Sequence, residues 1–299
     1  MPAPDQPWLR ILPCLDSDEM AECRRRELDL PRSKAAALGE SAVEAARLGH
    51  YVSGINRTVD WRQLVQAAKQ ARVSLPPDAP LPQPPTAASN ETLIQVTNET
   101  TLGAAQRLIR QGMKPLALNF ANGIQPGGGF LTGARAQEET LCRSSALFQT
   151  LVGDRMYSEH RKRERADSTD WAILSPDVPV FRSDDGTELE SPWLLSVISC
   201  AAPYAPDVGQ PESGDLLQNR IRRVLQIANA WGYSSLILGA WGCGAFENDP
   251  CRTAKDFRSA IEHEFRQVFS HVVFAITDWS RERRYLGPFR DVFRPTAGG

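Results

Sequence analysis

The chain has 299 residues, enough for one large domain or two small ones, and its 41% hydrophobic and 23% charged residues are the balance of an ordinary globular protein. A net charge of -2 gives no overall field favouring nucleic acid or an anionic membrane, and no apolar stretch approaches the ~20 residues that a membrane helix needs. The opening MPAPDQPWLR lacks a basic stretch followed by an apolar run, so no secretory signal is expected. Six cysteines without a C-x-x-C pair and four histidines without ligand spacing read as reduced thiols in a cytoplasmic protein, expected to be a monomer with no metal and no cofactor.

Residues 17–49 predict a helix, with Ser17-Asp18 able to cap it and Gly49 breaking it. Short β-like pieces around the turn Gly54-Ile55-Asn56 follow, then a helix from Trp61 to Val73 whose Leu64, Val65 and Ala68 recur at helical spacing. Six prolines between Leu75 and Asn90 exclude helix and central strand, leaving a linker or surface strap. Residues 1–90 are therefore expected to be a helical accessory region ending in a proline-rich linker, ahead of a catalytic domain over 91–294. Beyond Asn90, strands alternate with helices: strand Thr92–Val96, helix Thr101–Arg110, strand Pro115–Phe120, helix Gln137–Leu151, strand Leu194–Ser199, helix Leu216–Trp231, strand Ser235–Leu238, helix over most of Asp249–Phe269, and strand Val272–Ile276. Glu159–Asp170 reads as an exposed loop or frayed helix, and its charge run Arg161–Arg165 as a solvated face. Continuous apolar strands between helices imply an α/β fold whose mixed or parallel sheet is covered on both faces. Ligands of such folds bind beyond the carboxyl ends of the strands.

Two glycine-rich loops follow strands. The first runs Asn119-Phe120-Ala121-Asn122 to Gly127-Gly128-Gly129-Phe130, and the second is Gly239-Ala240-Trp241-Gly242-Cys243-Gly244-Ala245-Phe246. The plain reading of each is a tight turn. Two such loops at strand ends, the second before a helix, also suit backbone amides that cradle a diphosphate. Neither is the dinucleotide fingerprint, and no P-loop motif exists, so a hydride cofactor or nucleoside triphosphate is not indicated. Shortly after the triplet, Gln137-Glu138-Glu139 opens a helix. Acidic residues in a first turn are favoured by the helix dipole, but adjacent helical residues point about 100° apart, so one carboxyl can face a pocket while the other meets a neighbour. A carboxyl placed beside a bound phosphate holds its proton more tightly, which suits a general acid.

The GGG-x7-QEE arrangement from Gly127 to Glu139 resembles the signature of the poly(ADP-ribose) glycohydrolases, and most closely their bacterial type. The resemblance extends to Val96–Thr101, Leu118–Ala121, Ala136–Ser145 and Leu238–Gly244 through Asn248-Asp249-Pro250, in order, over roughly residues 20–290. It implies a macrodomain-like three-layer α/β/α sandwich with a mixed sheet, carrying an N-terminal helical extension. It also implies hydrolysis of the ribose–ribose O-glycosidic bond of poly(ADP-ribose), mainly from chain ends, reversing ADP-ribosylation in a DNA-damage setting. Glu139 would be the acid and then the base, Glu138 would bind ribose hydroxyls at the scissile bond, and Gln137 belongs to the same motif. Asn122 would touch the distal ribose with Asn119 in support. Gly127, Gly128 and Gly129 with Gly242, Cys243, Gly244 and Ala245 would hold the diphosphate, and Phe246 would cap the distal ribose. Phe130 and Trp241 stand between pocket and core.

The expected partners are poly(ADP-ribose) or ADP-ribosylated protein as substrate and ADP-ribose as product, without membrane or direct nucleic-acid contact. A non-catalytic ADP-ribose-binding module is the competing class, and the intact glutamate pair argues against it. Mono-ADP-ribosylated targets stay open. The N-terminal helices are expected to pack on the catalytic layer rather than serve only a partner.

Overall fold

The computed structural model describes residues 8–85 and 89–295. Most of the segment read for a secretory signal, and residues 86–88 of the proline-rich stretch, lie outside them. In chain order the elements are β1 (Leu9–Ile11), α1 (Asp18–Leu28), α2 (Arg32–Leu48), β2 (His50–Val52), β3 (Thr58–Asp60), α3 (Arg62–Ala71), β4 (Val73–Leu75), β5 (Thr92–Thr97), α4 (Thr101–Arg110), β6 (Pro115–Ala121), α5 (Gln137–Ser144), α6 (Leu147–Leu151), α7 (Arg155–His160), β7 (Ala172–Arg182), β8 (Glu188–Ala201), α8 (Ala205–Val208), α9 (Glu212–Ala230), β9 (Ser235–Leu238), α10 (Pro250–Ser259), β10 (His271–Ala275) and α11 (Leu286–Val292). Eight strands form one sheet in the order β1-β5-β10-β9-β6-β8-β7-β4, and β2 pairs β3 in a separate hairpin. Neighbours from β1 through β8 run parallel, while β7 and β4 add antiparallel pairs.

The strand sequences explain the two covered faces. Leu116 and Leu118, Leu236 and Leu238, and Val272 and Phe274 share one core with residues of α9, α10 and α11. The alternating Ala117, Ile237 and Val273 enter the other core, with Trp61, Val65, Leu108 and Leu141. Burial of each large apolar side chain favours folding by about 1.5–3 kcal/mol. The result is the mixed α/β/α sandwich that the sequence implied.

Four local readings change. The helix expected over residues 17–49 is two helices, because Pro31 stands in extended backbone before α2 and has no amide to continue α1. The helix expected over Gln137–Leu151 breaks at Ser145, whose extended backbone bridges to Val180. The helix expected to run towards Phe269 ends in a π-helical turn, Ala260–Glu264. Between Asp170 and Leu194 stands a long antiparallel pair, β7 with the first half of β8; Pro176 and Pro179 disguise β7, which absorbs them with a bulge between Ser175 and Val178.

Both edge strands of the sheet, β1 and β4, come from residues before 90. The buried Arg182 guanidinium donates to Leu38 O at 2.9 Å and Ser41 Oγ at 3.0 Å on α2, and Arg135 pairs with Asp29 at 2.6 Å. The proline-rich segment is a surface strap where it is described, its Pro76 and Ala79 carbonyls accepting from Arg223 on α9.

Candidate active site

The carboxyl ends of β5, β10, β9 and β6 lie side by side, so the four segments that leave them meet. A cleft of about 150 Å³ has walls from Phe120 near the end of β6 and Asn122 just after it, Glu138 and Glu139 of α5, and Gly242, Gly244, Ala245 and Phe246 after β9. It continues past Phe120, Gln137 and Ala240 into a larger arm of about 270 Å³, walled by Glu99–Leu102 after β5, Ile276, Thr277 and Trp279 after β10, and Leu28, Arg135, Asp184 and Tyr285.

Gln137, Glu138 and Glu139 open α5 with no side-chain cap on Ala136. Gln137 ties this start to the end of β6: its Nε2 donates to Leu118 O at 2.7 Å and Thr101 Oγ1 at 3.1 Å, and its Oε1 accepts from Phe120 N at 2.9 Å. Its polar atoms are thus occupied by the protein. Glu138 is 3% exposed and accepts from Asn122 N at 2.7 Å and from Asn119 Nδ2 at 3.2 Å. Asn119 is fully buried behind it, with Nδ2 also donating to Ser199 Oγ at 3.0 Å. Asn122 lines the cleft, its Oδ1 accepting from Ile124 N and Gln125 N, both at 2.9 Å. Glu139 accepts from Gly129 N at 3.0 Å through Oε1, while its buried Oε2 has no hydrogen-bond partner in the protein. One oxygen of Glu139 is therefore anchored and the other uncommitted, on a residue of the cleft wall.

The glycine triplet packs against the carboxyl pair. Gly128 N donates to Gln125 O, and Gly129 N to Glu139 Oε1 at 3.0 Å. The Gly129 amide thus holds the Glu139 carboxyl, and the triplet is absent from the walls of the cleft and its arm. In the second loop, among the described residues, the amides of Gly242, Gly244, Ala245 and Phe246 donate to no protein acceptor, which leaves them for an anion. Gly242 sits at φ +75°, and a Cβ there would stand 2.7 Å from that of Ala202. The Cys243 side chain turns away: it is buried, with Sγ near Thr253 Oγ1 at 3.6 Å, and burial pushes the thiol up to about 12. Phe246 is half-buried, edge-on to Tyr204 at 5.8 Å. Phe130 is a buried core residue, whereas Trp241, equally buried, also backs the cleft.

Burial pushes the Glu138 carboxyl up to about 8 from 4.5, against the lowering pull of the Asn122 amide and Asn119. A folded-state value above the unfolded one stabilises fully below pH 4.5 and is lost as pH rises through 8. Glu138→Gln removes this titration. The variant should therefore gain stability relative to the unmodified chain between pH 5 and pH 8.5, as read by urea denaturation at both values; an unchanged difference would contradict a neutral Glu138.

Residues that sequence reading passed over support the site. Asn248 holds the second loop: its Nδ2 donates to Pro203 O at 2.9 Å and Gly242 O at 3.2 Å, and its Oδ1 accepts from Ser213 Oγ at 2.6 Å. It stood in a matched motif but only its partners reveal its use. His160 pins the first loop, Nδ1 donating to Gly123 O at 3.0 Å while Nε2 accepts from Thr169 N at 3.2 Å. Burial pushes this imidazole down to about 4, which keeps it neutral and compatible with that tautomer. The arm lined by Trp279 and Tyr285 had no sequence signal, being assembled from distant segments. Among the described residues, no group of three or more His, Cys, Asp or Glu could hold a metal ion, and no helix is long and apolar enough to cross a membrane.

Fold and site together define a glycosidase on a macrodomain-like scaffold, with a carboxyl pair at the carboxyl edge of a mixed sheet. The family model for the catalytic domain of microbial-type PARG matches residues 39–183. The crystal structure of poly(ADP-ribose) glycohydrolase from Thermomonospora curvata is 35% identical with a TM-score of 0.81, covering 87% of this chain and 99% of that one. The same enzyme bound to the inhibitor ADP-HPD is 34% identical with a TM-score of 0.79, at the same coverage. Poly(ADP-ribose) glycohydrolase from Deinococcus radiodurans in complex with ADP-ribose is 36% identical with a TM-score of 0.68, covering 76% of this chain and 96% of that one. A comparison with curated proteins finds no match. The chain belongs to the microbial-type poly(ADP-ribose) glycohydrolase family.

Proposed function

We propose that this glycohydrolase cleaves the ribose–ribose O-glycosidic bond of poly(ADP-ribose) with Glu139 as its acid and base, releasing ADP-ribose mainly from chain ends. The observation that carries the assignment is the buried, unpartnered Oε2 of Glu139 beside an anchored Oε1. Protonated Glu139 donates to the departing ribose oxygen as the glycosidic bond breaks. The oxocarbenium-like carbon left behind is stabilised by the substrate's own diphosphate, and ionised Glu139 then takes a proton from the attacking water. One carboxyl serves both steps, unlike the two-carboxylate scheme of most glycosidases. Glu138, kept neutral by burial, can donate as well as accept and so suits the ribose hydroxyls.

The free amides of Gly242, Gly244, Ala245 and Phe246 take the diphosphate, Asn122 and Phe246 the distal ribose, and the arm at Thr100, Trp279 and Tyr285 the adenosine. Walls from several separate segments surround a nucleoside in that arm, which favours a terminal unit over an internal one. Residues 91–294 carry this chemistry, with residues 1–90 as an accessory region. The enzyme acts as a monomer that reverses ADP-ribosylation in the cytoplasm, in the setting of DNA damage.

Incubation with automodified poly(ADP-ribose) tests the reading. ADP-ribose should dominate the products from the first minutes. Binding of ADP-ribose without any release from polymer would instead define a reader module.

A further inference from the structure

A second groove, of about 450 Å³, opens from the same cleft on the side away from the adenosine arm. Asn122 and Phe246 line both spaces, so the groove begins where the distal ribose would sit. Its walls are the exposed Ile124, Tyr204 at the start of α8, and the segment from His160 to Ser168. That segment, expected to be a loose polar loop, is firmly fastened. Tyr204 N donates to Ala166 O at 2.9 Å and Ala166 N to Asp207 Oδ2 at 2.6 Å. The buried Arg220 donates to Asp167 O and to Ala201 O, and His160 joins Gly123 to Thr169.

The charges of this groove are unequal in availability. Arg163 is paired with Asp167 and Arg165 with Glu212. Asp207 accepts from the Ala166 amide and keeps its negative charge, burial keeps His160 neutral, and Glu164 is exposed at the rim. Arg161 pairs with no carboxylate among the described residues; its Nη1 donates only to Ile124 O at 2.6 Å, which holds the guanidinium at the groove wall with donors to spare.

We propose that this groove is a leaving-side subsite for the next nucleotide unit of the polymer, and that Arg161 binds the diphosphate of that unit. The inference rests on the function proposed above. Bond chemistry supplies the match. When a terminal ADP-ribose fills the cleft, the departing oxygen belongs to the adenosine ribose of the following unit, which carries its own adenine and, a few bonds away, its own diphosphate. A free guanidinium suits the diphosphate bidentately, and the exposed Tyr204 and Ile124 offer an apolar surface to the base. An ADP-ribose carried on a protein side chain lacks that second diphosphate, so the subsite would favour polymer over single modifications.

The test compares Arg161→Glu, Arg161→Lys and the unmodified enzyme on defined-length poly(ADP-ribose), with free ADP-ribose affinity measured alongside. Arg161→Glu should raise KM for polymer about five- to tenfold, as loss and reversal of one exposed charge contact would. Arg161→Lys should recover most of it, with kcat within about twofold and ADP-ribose affinity unchanged, because ADP-ribose alone does not reach the groove. An unchanged polymer KM in Arg161→Glu would overturn the subsite. So would a parallel loss of ADP-ribose affinity or of kcat, which would place the effect in the cleft itself. Failure of the unmodified enzyme to release ADP-ribose from polymer would sink the proposed function separately.

Discussion

Glu139→Gln is expected to lower kcat for polymer cleavage by about a thousandfold or more, at the upper part of the range for loss of a general acid–base group. The substitution is chosen to change chemistry alone. A glutamine oxygen still accepts from Gly129 N, as Oε1 does at 3.0 Å, so the loop and the start of α5 keep their geometry. What disappears is the oxygen that can give a proton to the departing ribose and take one from water. Affinity for ADP-ribose, measured by calorimetry, should survive, because the contacts proposed for it lie on the amides of the second loop, on Asn122 and on Phe246, which line the same cleft. A kcat within tenfold of the unmodified enzyme would remove Glu139 from the chemical step and point to Glu138. Joint loss of turnover and ADP-ribose affinity would mean that Glu139 acts mainly in binding.

Gly128→Ala should also lower kcat strongly, by displacing Glu139 rather than by changing its chemistry. Gly128 stands at φ +56°, where an L side chain is strained, and a Cβ would lie 2.4 Å from Glu139 Oε1 and 3.1 Å from Glu138 Oε2. The glutamates have little room to yield, since both are buried and tied to backbone amides. Displacement by about 1 Å typically costs around 100-fold in rate, so kcat should fall at least that far. The backbone strain should lower unfolding free energy by about 1–3 kcal/mol, read from denaturant melts. Gly112→Ala is the control for positive φ alone: it sits at φ +84° with open space around its Cβ position. Its stability should drop while its kcat stays. Equal kcat in Gly128→Ala and the unmodified enzyme would show that the triplet does not cradle the carboxyls.

The sheet was largely legible because its strands declare themselves. Leu116–Leu118 and Ser235–Leu238 are apolar on both faces, which only a strand covered on both sides requires. Helices such as α9 announced themselves by spacing, and Gly49 stopped α2 where expected, in left-handed backbone. Prolines misled in both directions. Pro31 divides a pattern that otherwise reads as one helix, whereas Pro176 and Pro179 sit inside a strand because β7 bulges around them. Such outcomes depend on what packs alongside, and local propensity carries no record of it.

At the site, the amino-acid order alone placed Gln137, Glu138 and Glu139 after the triplet and paired two glycine loops with strand ends, which is enough for the family and for proposing Glu139 as the acid. Tertiary structure alone decided what each group does. It turned the Gly129 amide onto Glu139 and left the amides of Gly242, Gly244, Ala245 and Phe246 free. It sent the Cys243 thiol into the core and occupied both ends of the Gln137 amide. It raised Glu138 by burial, and it joined Thr100 after β5 with Trp279 and Tyr285 after β10 into one arm. The physical reason is common to all of these. Hydrogen-bond commitment, desolvation and cavity shape are properties of the groups around a residue, and those groups come from chain segments far apart in sequence.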